Sequence, residues 1–269
     1  MTQIQLNAAI FDWAGTLVDF GSRAPLSAFM QVFADAGIAV TESETRAPMG
    51  TEKKEHIRRM LRDSRTQNCW QEKHGRPSNE SDVEELYRQL APVQLQEIDR
   101  HSRAVPGAAE LFVELRQRGF KIGSTTGYSR SMIEGLLKSA ADQGVEPDFA
   151  VAADEAAGAR PGPAAALKNV IELEIPSVAQ CVKVDDTAAG IMEGRNAGMW
   201  TVAVVLSGNA LGLSLEAWQA LEVDEAARRK AAAYRALEGC GAHYLIDDIT
   251  RLEPVLVDIN RRLALGERP

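Results

Sequence analysis

Blocks of alternating hydrophobic and polar character divide the chain into strands and helices. Ile4 to Phe11 is apolar and β-branched, closes on Asp12, and predicts a strand that Gly15 and Thr16 end. Leu26, Phe29, Met30 and Phe33 recur at helical spacing within 26–36, and 52–65, 73–76 and 80–100 are polar segments of helical character. Residues 21–100 therefore read as a helical insertion. Beyond Val105-Pro106-Gly107 the pattern predicts helices over 108–118, 129–143, 163–173, 188–197 and 249–265. It predicts strands over 120–124, 149–152, 181–184, 200–206 and 244–246. The Ala-rich stretches 156–166 and 226–236 read as loop and helix material. Strands alternating with helices imply an α/β fold, a parallel sheet with right-handed crossovers. Ligands of such sheets sit at the carboxyl ends of the strands.

Composition narrows the function. The 269 residues are 45% hydrophobic and 25% charged, with 38 acidic against 30 basic residues and a formal charge of −8. That balance argues against nucleic acid or an acidic membrane as a partner, and leaves room for a small basic pocket. Three distant cysteines, Cys69, Cys181 and Cys240, suggest neither a disulfide framework nor a zinc site. The opening MTQIQLNAAIFDW lacks the features of a secretory signal. The apolar run Met199 to Leu206 is too short to span a bilayer. A cytoplasmic protein acting on a small molecule is expected.

Four predicted strands lead into polar residues: Asp12, Thr126, the segment reaching Arg160, and Asp185-Asp186. A carboxylate at Asp12 can attack phosphorus or ligate a metal, and can also simply cap a turn. Thr126, before Gly127, can hydrogen-bond a phosphoryl oxygen, and Arg160 can fork onto an anion. Asp185 and Asp186 repel each other unless solvated or bound to a hard cation, for which magnesium suits phosphoryl chemistry.

These four motifs, in this order, resemble the haloacid dehalogenase superfamily. The resemblance implies a Rossmann-like parallel-sheet core, residues 1–20 and 101–269, with an inserted helical cap at 21–100. It also implies an aspartate nucleophile. Most phosphatases of that superfamily carry a second aspartate two residues after the first, to protonate the leaving oxygen. Here Asp12-Trp13-Ala14-Gly15-Thr16 has Ala14 at that position. Loss of general acid catalysis, worth about 10²–10⁴-fold, would cripple an ester hydrolase but not an enzyme with a carbon leaving group. Carbon needs an electron sink, which the iminium of a lysine with a neighbouring carbonyl provides.

The insertion offers that lysine. In a helix starting at Thr51, Lys53, His56, Ile57 and Met60 share one semi-apolar face, and Lys54, Arg58, Arg62 and Arg65 another. An amine on the first face can have its pKa lowered, or can simply snorkel. Six basic and three acidic residues in 52–65 could draw an anion or form a solvated face.

Asp12-Trp-Ala-Gly-Thr16, Met49-Gly50 ahead of Lys53 and His56, Thr126-Gly127-Tyr128, Arg160-Pro161 and Glu193-Gly-Arg-Asn-Ala-Gly-Met-Trp200 together resemble the phosphonoacetaldehyde hydrolase family, over essentially the whole chain. The resemblance implies hydrolysis of a C–P bond, with Asp12 as nucleophile and Lys53 as Schiff-base lysine. His56 and Tyr128 are implied beside them in proton transfer or positioning. Thr126, Gly127, Arg160, Met49 and Gly50 are implied in substrate binding. Mg²⁺ would be held by Asp12, the Ala14 carbonyl and Asp186, and a homodimer would form through the cap, which the apolar face Leu26 to Phe33 would permit, though that face could equally be intramolecular core. The nearest alternative is a phosphatase or phosphotransferase of the same superfamily acting on a small phosphate ester. Three positions depart from the family pattern: Ser22 for a frequent cysteine, Asp185 with Gly190 where a Gly-Asp-Thr-x-x-Asp loop is usual, and the small Gly162-Pro163-Ala164-Ala165 after Arg160-Pro161.

Overall fold

The computed structural model describes residues 5–269; Ile4, the expected start of the first strand, lies outside them. Six strands form one parallel sheet: β1 (Ala8–Phe11), β2 (Lys121–Thr125), β3 (Phe149–Val151), β4 (Cys181–Asp185), β5 (Trp200–Val204) and β6 (Tyr244–Ile246), in the order β3-β2-β1-β4-β5-β6. β1, β4 and β5 are buried throughout, as apolar strands covered on both faces must be. The chain builds outward from β1 through β2 to β3, then returns to β1's other side at β4. The switch point beside the end of β1 is where such sheets open a crevice.

Between β1 and β2 lie α1 (Arg23–Asp35), α2 (Glu42–Arg46), α3 (Lys53–Arg62), α4 (Ser64–His74) and α5 (Glu80–Arg100). They share an apolar cluster that includes Phe29, Val32, Phe33, Ile57, Met60, Trp70 and Leu90. Leu26, Phe29, Val32 and Phe33 are each no more than 1% exposed, so the face considered for self-association is internal packing of α1. Around the sheet follow α6 (Ala108–Gln117), α7 (Arg130–Ala141), α8 (Ala164–Glu172), α9 (Ala188–Asn196), α10 (Leu215–Gln219), α11 (Val223–Leu237) and α12 (Leu252–Ala264). The pattern misses α10 and the start of α11, and the closing helix begins with a 3-10 turn at Ile249–Arg251. None of the described helices is long and apolar enough to cross a membrane.

The chain leaves the sheet and returns to it side by side. Val18 bridges Ala104 in antiparallel fashion, Asp19 N–H donates to the Arg103 carbonyl, and Val105 N–H donates to that of Leu17. The buried Asp19 carboxylate accepts the N–H groups of Arg23 and Ala24, both at 2.9 Å, and so caps α1 from three residues upstream of Ser22.

Candidate active site

The carboxyl ends of β1, β2 and β4 meet the start of α3 around one small cavity. It is lined by Asp12, Ala14, Met49, Gly50, Lys53, Thr126, Gly127, Tyr128, Arg160 and Asp186, joined by Ser22, Pro25, Thr51 and Thr187. Ten of the eleven expected site residues thus converge; His56 lies behind them. About 30 Å³ is open to the centres of water-sized molecules, room for roughly two waters.

On the sheet side the site is a buried ionic lattice. Asp12 follows β1 directly, and its N–H donates to the Val184 carbonyl at 2.9 Å. Its Oδ1 accepts from Arg160 Nη1 at 2.8 Å, while Arg160 Nη2 donates to Thr125 Oγ1 at 2.6 Å. Thr125 Oγ1 donates to Glu193 Oε2 at 2.9 Å. Arg160 Nε sits 3.0 Å from that same oxygen, off the line a hydrogen bond needs. Lys183, wholly buried in β4, donates to Asp185 Oδ2 at 2.6 Å and lies 3.7 Å from Glu193. Sequence reasoning missed Thr125, Lys183 and Glu193 as parts of the site. The available signal was a lysine in the middle of the otherwise apolar strand Cys181–Val184.

Burial, with Asp185 nearby, pushes the Asp12 carboxyl up to about 6, while Arg160 and Lys183 pull it down. Burial raises Asp186 well above the ordinary carboxylate range, helped by Asp12 and Asp185. Asp185 is held low: burial opposes this, but Lys183, Arg160 and Thr187 prevail.

Asp12, Asp185 and Asp186 can bring one oxygen each within 4.8 Å of one another. Asp186 Oδ1 is buried without a partner. A Cβ at Gly15 (φ +87°) would lie 2.3 Å from Asp186 Oδ2, so only glycine lets this turn approach the carboxylate. An all-oxygen donor set and surplus buried negative charge fit a hard divalent cation. Both Asp185 oxygens are engaged, Oδ2 by Lys183 and Oδ1 by the Thr187 N–H and hydroxyl, which leaves Asp12 and Asp186 the freer ligands.

The departure at 185 and 190 has a steric basis. A Cβ on Gly190 would lie 1.9 Å from Asp185 Oδ2, so the carboxylate at 185 fills the space a side chain at 190 would need. The small residues after Arg160 leave a second cavity of about 20 Å³, lined partly by Arg160, Gly162, Ala165 and Glu193.

On the helical side the surroundings are apolar. Lys53 opens α3 after Glu52, whose carboxylate caps the N–H groups of Lys54 and Glu55. Thr51 does not start this helix; its hydroxyl donates to the Pro48 carbonyl at 2.7 Å. Lys53, 6% exposed, has no ion-pair or hydrogen-bond partner among the described residues. Its Nζ lies 4.6 Å from the Tyr128 ring centroid and 5.3 Å from that of Phe29. Burial lowers its pKa to about 8, with Asp12 working the other way. The positive end of α3 also disfavours an ammonium there.

His56 stacks on Phe29 at 3.8 Å between centroids, and its Nε2 lies 2.9 Å from the Thr45 carbonyl oxygen, which requires the N–H on that nitrogen. Burial, with Lys53 nearby, holds it neutral by pushing its pKa well below the ordinary value. The Tyr128 hydroxyl is buried without a partner, and burial keeps it protonated. Thr126 Oγ1 accepts from the Tyr128 N–H at 3.1 Å, and Gly50 packs directly on Thr187, where a Cβ would lie 2.3 Å from Oγ1. The basic residues of α3 and the start of α4 do not line the cavity, and most pair with acids: Arg58 with Glu55 and Glu80, Lys54 with Glu84, and Arg65 with Glu44. They form a solvated face and not an anion site.

Residues 6–198 match the model of the haloacid dehalogenase-like hydrolases. A phosphonoacetaldehyde hydrolase from Bordetella pertussis is 48% identical over 268 residues, 99% of this chain and 96% of the relative. One from Pseudomonas fluorescens is 47% identical over 98% of this chain and 96% of its own. The crystal structure of a phosphonoacetaldehyde hydrolase-like protein from Oleispira antarctica superposes with a TM-score of 0.96 at 49% identity, covering 98% of this chain and 96% of that one. The chain belongs to the phosphonoacetaldehyde hydrolases, within the haloacid dehalogenase-like hydrolases.

Proposed function

We propose that the chain hydrolyses the C–P bond of phosphonoacetaldehyde to acetaldehyde and phosphate, through a Lys53 Schiff base and an aspartyl phosphate on Asp12. The observation that carries this is Lys53, a buried amine without an ion-pair or hydrogen-bond partner among the described residues, which lines one cavity with the nucleophile candidate. Ala14 occupies the position where an ester hydrolase of this superfamily keeps its acid.

The neutral Lys53 amine adds to the aldehyde carbon, and the resulting hydroxyl takes up one proton and leaves as water, giving an iminium. Arg160 and Thr126 hold the phosphonyl oxygens, Arg160 exchanging its contact with Asp12 for one with substrate. An Asp12 oxygen attacks phosphorus in line, and the C–P electron pair moves into the iminium to form an enamine. Water cleaves the aspartyl phosphate, the enamine takes a proton on carbon, and hydrolysis of the resulting iminium releases acetaldehyde and Lys53. Mg²⁺ is the proposed ion, held by Asp12, Asp186 and the Ala14 carbonyl, and when bound it offsets the charge between carboxylate and phosphonate. The Thr45 contact and the Phe29 stack support His56 as a positioning residue, and the protonated, unpartnered hydroxyl supports Tyr128 as a donor toward the imine.

The division into a core, 1–20 and 101–269, and a cap, 21–100, is supported by the separate apolar cluster and the paired crossings. A homodimer through the cap follows from the family resemblance. Its contact would lie elsewhere than the buried face of α1, and light scattering of a variant at the exposed Leu95 addresses it. The three unpaired cysteines suit the reducing cytoplasm.

Borohydride reduction with phosphonoacetaldehyde, followed by peptide mass analysis, is expected to mark Lys53 with a two-carbon adduct. Steady turnover by Lys53→Arg, or release of phosphate from simple phosphate esters and none from phosphonoacetaldehyde, overturns the reading.

A further inference from the structure

The cavity lies between the helical unit and the sheet, so its shape depends on what holds the two against each other. Arg46, at the end of α2 and seven residues before Lys53, reaches across to the loop after β5. Its Nη1 donates to the Gly21 carbonyl at 3.1 Å and to Asn209 Oδ1 at 2.9 Å, and its Nη2 donates to the Gly212 carbonyl at 3.0 Å. Asn209 answers with a weak bond from Nδ2 to the Arg46 carbonyl at 3.4 Å. Gly212 is part of the receptor: its φ is +70°, and a Cβ there would lie 2.9 Å from the guanidinium carbon. The same loop touches the carboxylates. The Asn209 N–H donates to Asp186 Oδ2 at 2.7 Å, and a Cβ on Gly208 would lie 2.5 Å from the Asp186 Cβ. On the other side, His56 holds the carbonyl of Thr45, the residue before Arg46, and so ties the clasp to the helix that carries Lys53.

We propose that Arg46 and the Asn209–Gly212 loop form a clasp that locks the helical unit over the sheet and brings the Lys53 helix and Asp186 into register in one movement. Both act as positioning residues. A planar guanidinium spanning three acceptors fixes distance and orientation together, which a lysine ammonium on a flexible stem does not. The inference rests on the proposed function only for its kinetic arm.

The test compares Arg46→Ala, Arg46→Lys, Asn209→Ala and the Arg46→Ala/Asn209→Ala double variant with the parent. Two readouts need no turnover: the radius of gyration in solution scattering, and the rate at which trinitrobenzenesulfonate labels Lys53, followed by peptide mass. Arg46→Ala is expected to expand the ligand-free chain and speed labelling about tenfold or more, with inorganic phosphate and magnesium partly reversing both. Arg46→Lys should fall between Arg46→Ala and the parent. The double variant should add little to Arg46→Ala, because the two residues serve one contact. In turnover, KM should rise more than kcat falls. Parental scattering and labelling in Arg46→Ala, or additive effects in the double variant, overturn the clasp. Should Arg46→Ala fail to fold, Arg46→Lys and Asn209→Ala decide by the same two readouts. Absence of phosphonoacetaldehyde turnover in the parent sinks the proposed function and leaves these readouts standing.

Discussion

The two walls of the cavity solve opposite electrostatic problems. The sheet wall gathers Asp12, Asp185, Glu193, Arg160 and Lys183, all 9% exposed or less, and joins them by hydrogen bonds and ion pairs. Lys53 on the helical wall meets almost nothing charged: the Phe29 ring from its own side, the Tyr128 ring from beyond β2, a neutral imidazole, and the positive end of a helix. A phosphoryl-transfer centre works with charge fixed in place before the substrate arrives. In the proposed mechanism the Lys53 amine must lose its proton before it condenses with an aldehyde, and burial without an ion-pair partner among the described residues lowers its pKa in that direction. The contrast explains why Arg160 is held in its protonated form by Glu193, Asp185 and Asp12 against the effect of burial, while Lys53 falls to about 8.

The sharpest way to break this comparison is to disable one wall and ask whether the other still works. Asp12→Asn should cost at least about 10⁴-fold in kcat yet still yield a borohydride-trapped Lys53 adduct; loss of the adduct would show that the walls are not separable. Lys53→Met should cost at least about 10³-fold and abolish the adduct, with phosphate binding by calorimetry changed by less than about threefold. Lys183→Met removes a cation from the buried lattice and leaves Asp185 and Glu193 short of a partner, so unfolding should become easier by about 3–5 kcal/mol in a denaturant titration. A loss under about 1 kcal/mol would mean that the lattice carries little of the fold.

The smallest effect sharpens the helical wall. Because burial lowers the Lys53 pKa to about 8, the reactive neutral amine grows as pH rises toward that value and saturates above it. The initial rate of adduct trapping should therefore rise roughly tenfold per unit below pH 8 and level off beyond it. A rate still climbing at pH 10 would place Lys53 in a solvent-like setting and contradict the geometry.

Much of this was legible in the sequence where one residue carried both a local and a chemical signal. A strand that runs into Asp12 and then Gly15, or into Asp185-Asp186 and then a helix, announces its own end and what is displayed there. The face Lys53–His56–Ile57–Met60 could be read from helical spacing, and each member is buried. What escaped depended on distant partners. The basic run 52–65 could be read as an anion site or a solvated face, because Glu44, Glu80 and Glu84, which pair with it, lie outside that run. Lys183 carried no motif of its own, and its place in the site depends on Asp185 beside it in β4 and on Glu193 on the following helix. The loop Ser207–Leu213 has no period to detect, yet it reaches Arg46 and Asp186 at once. The start of α3 moved from Thr51 to Lys53 because Glu52, not Thr51, supplies the cap.

Val18 and Ala104 stand opposite each other, so the chain enters and leaves the run α1–α5 through one two-stranded doorway. Such a cassette can be exchanged by rejoining two adjacent chain ends, with the strand order behind it undisturbed.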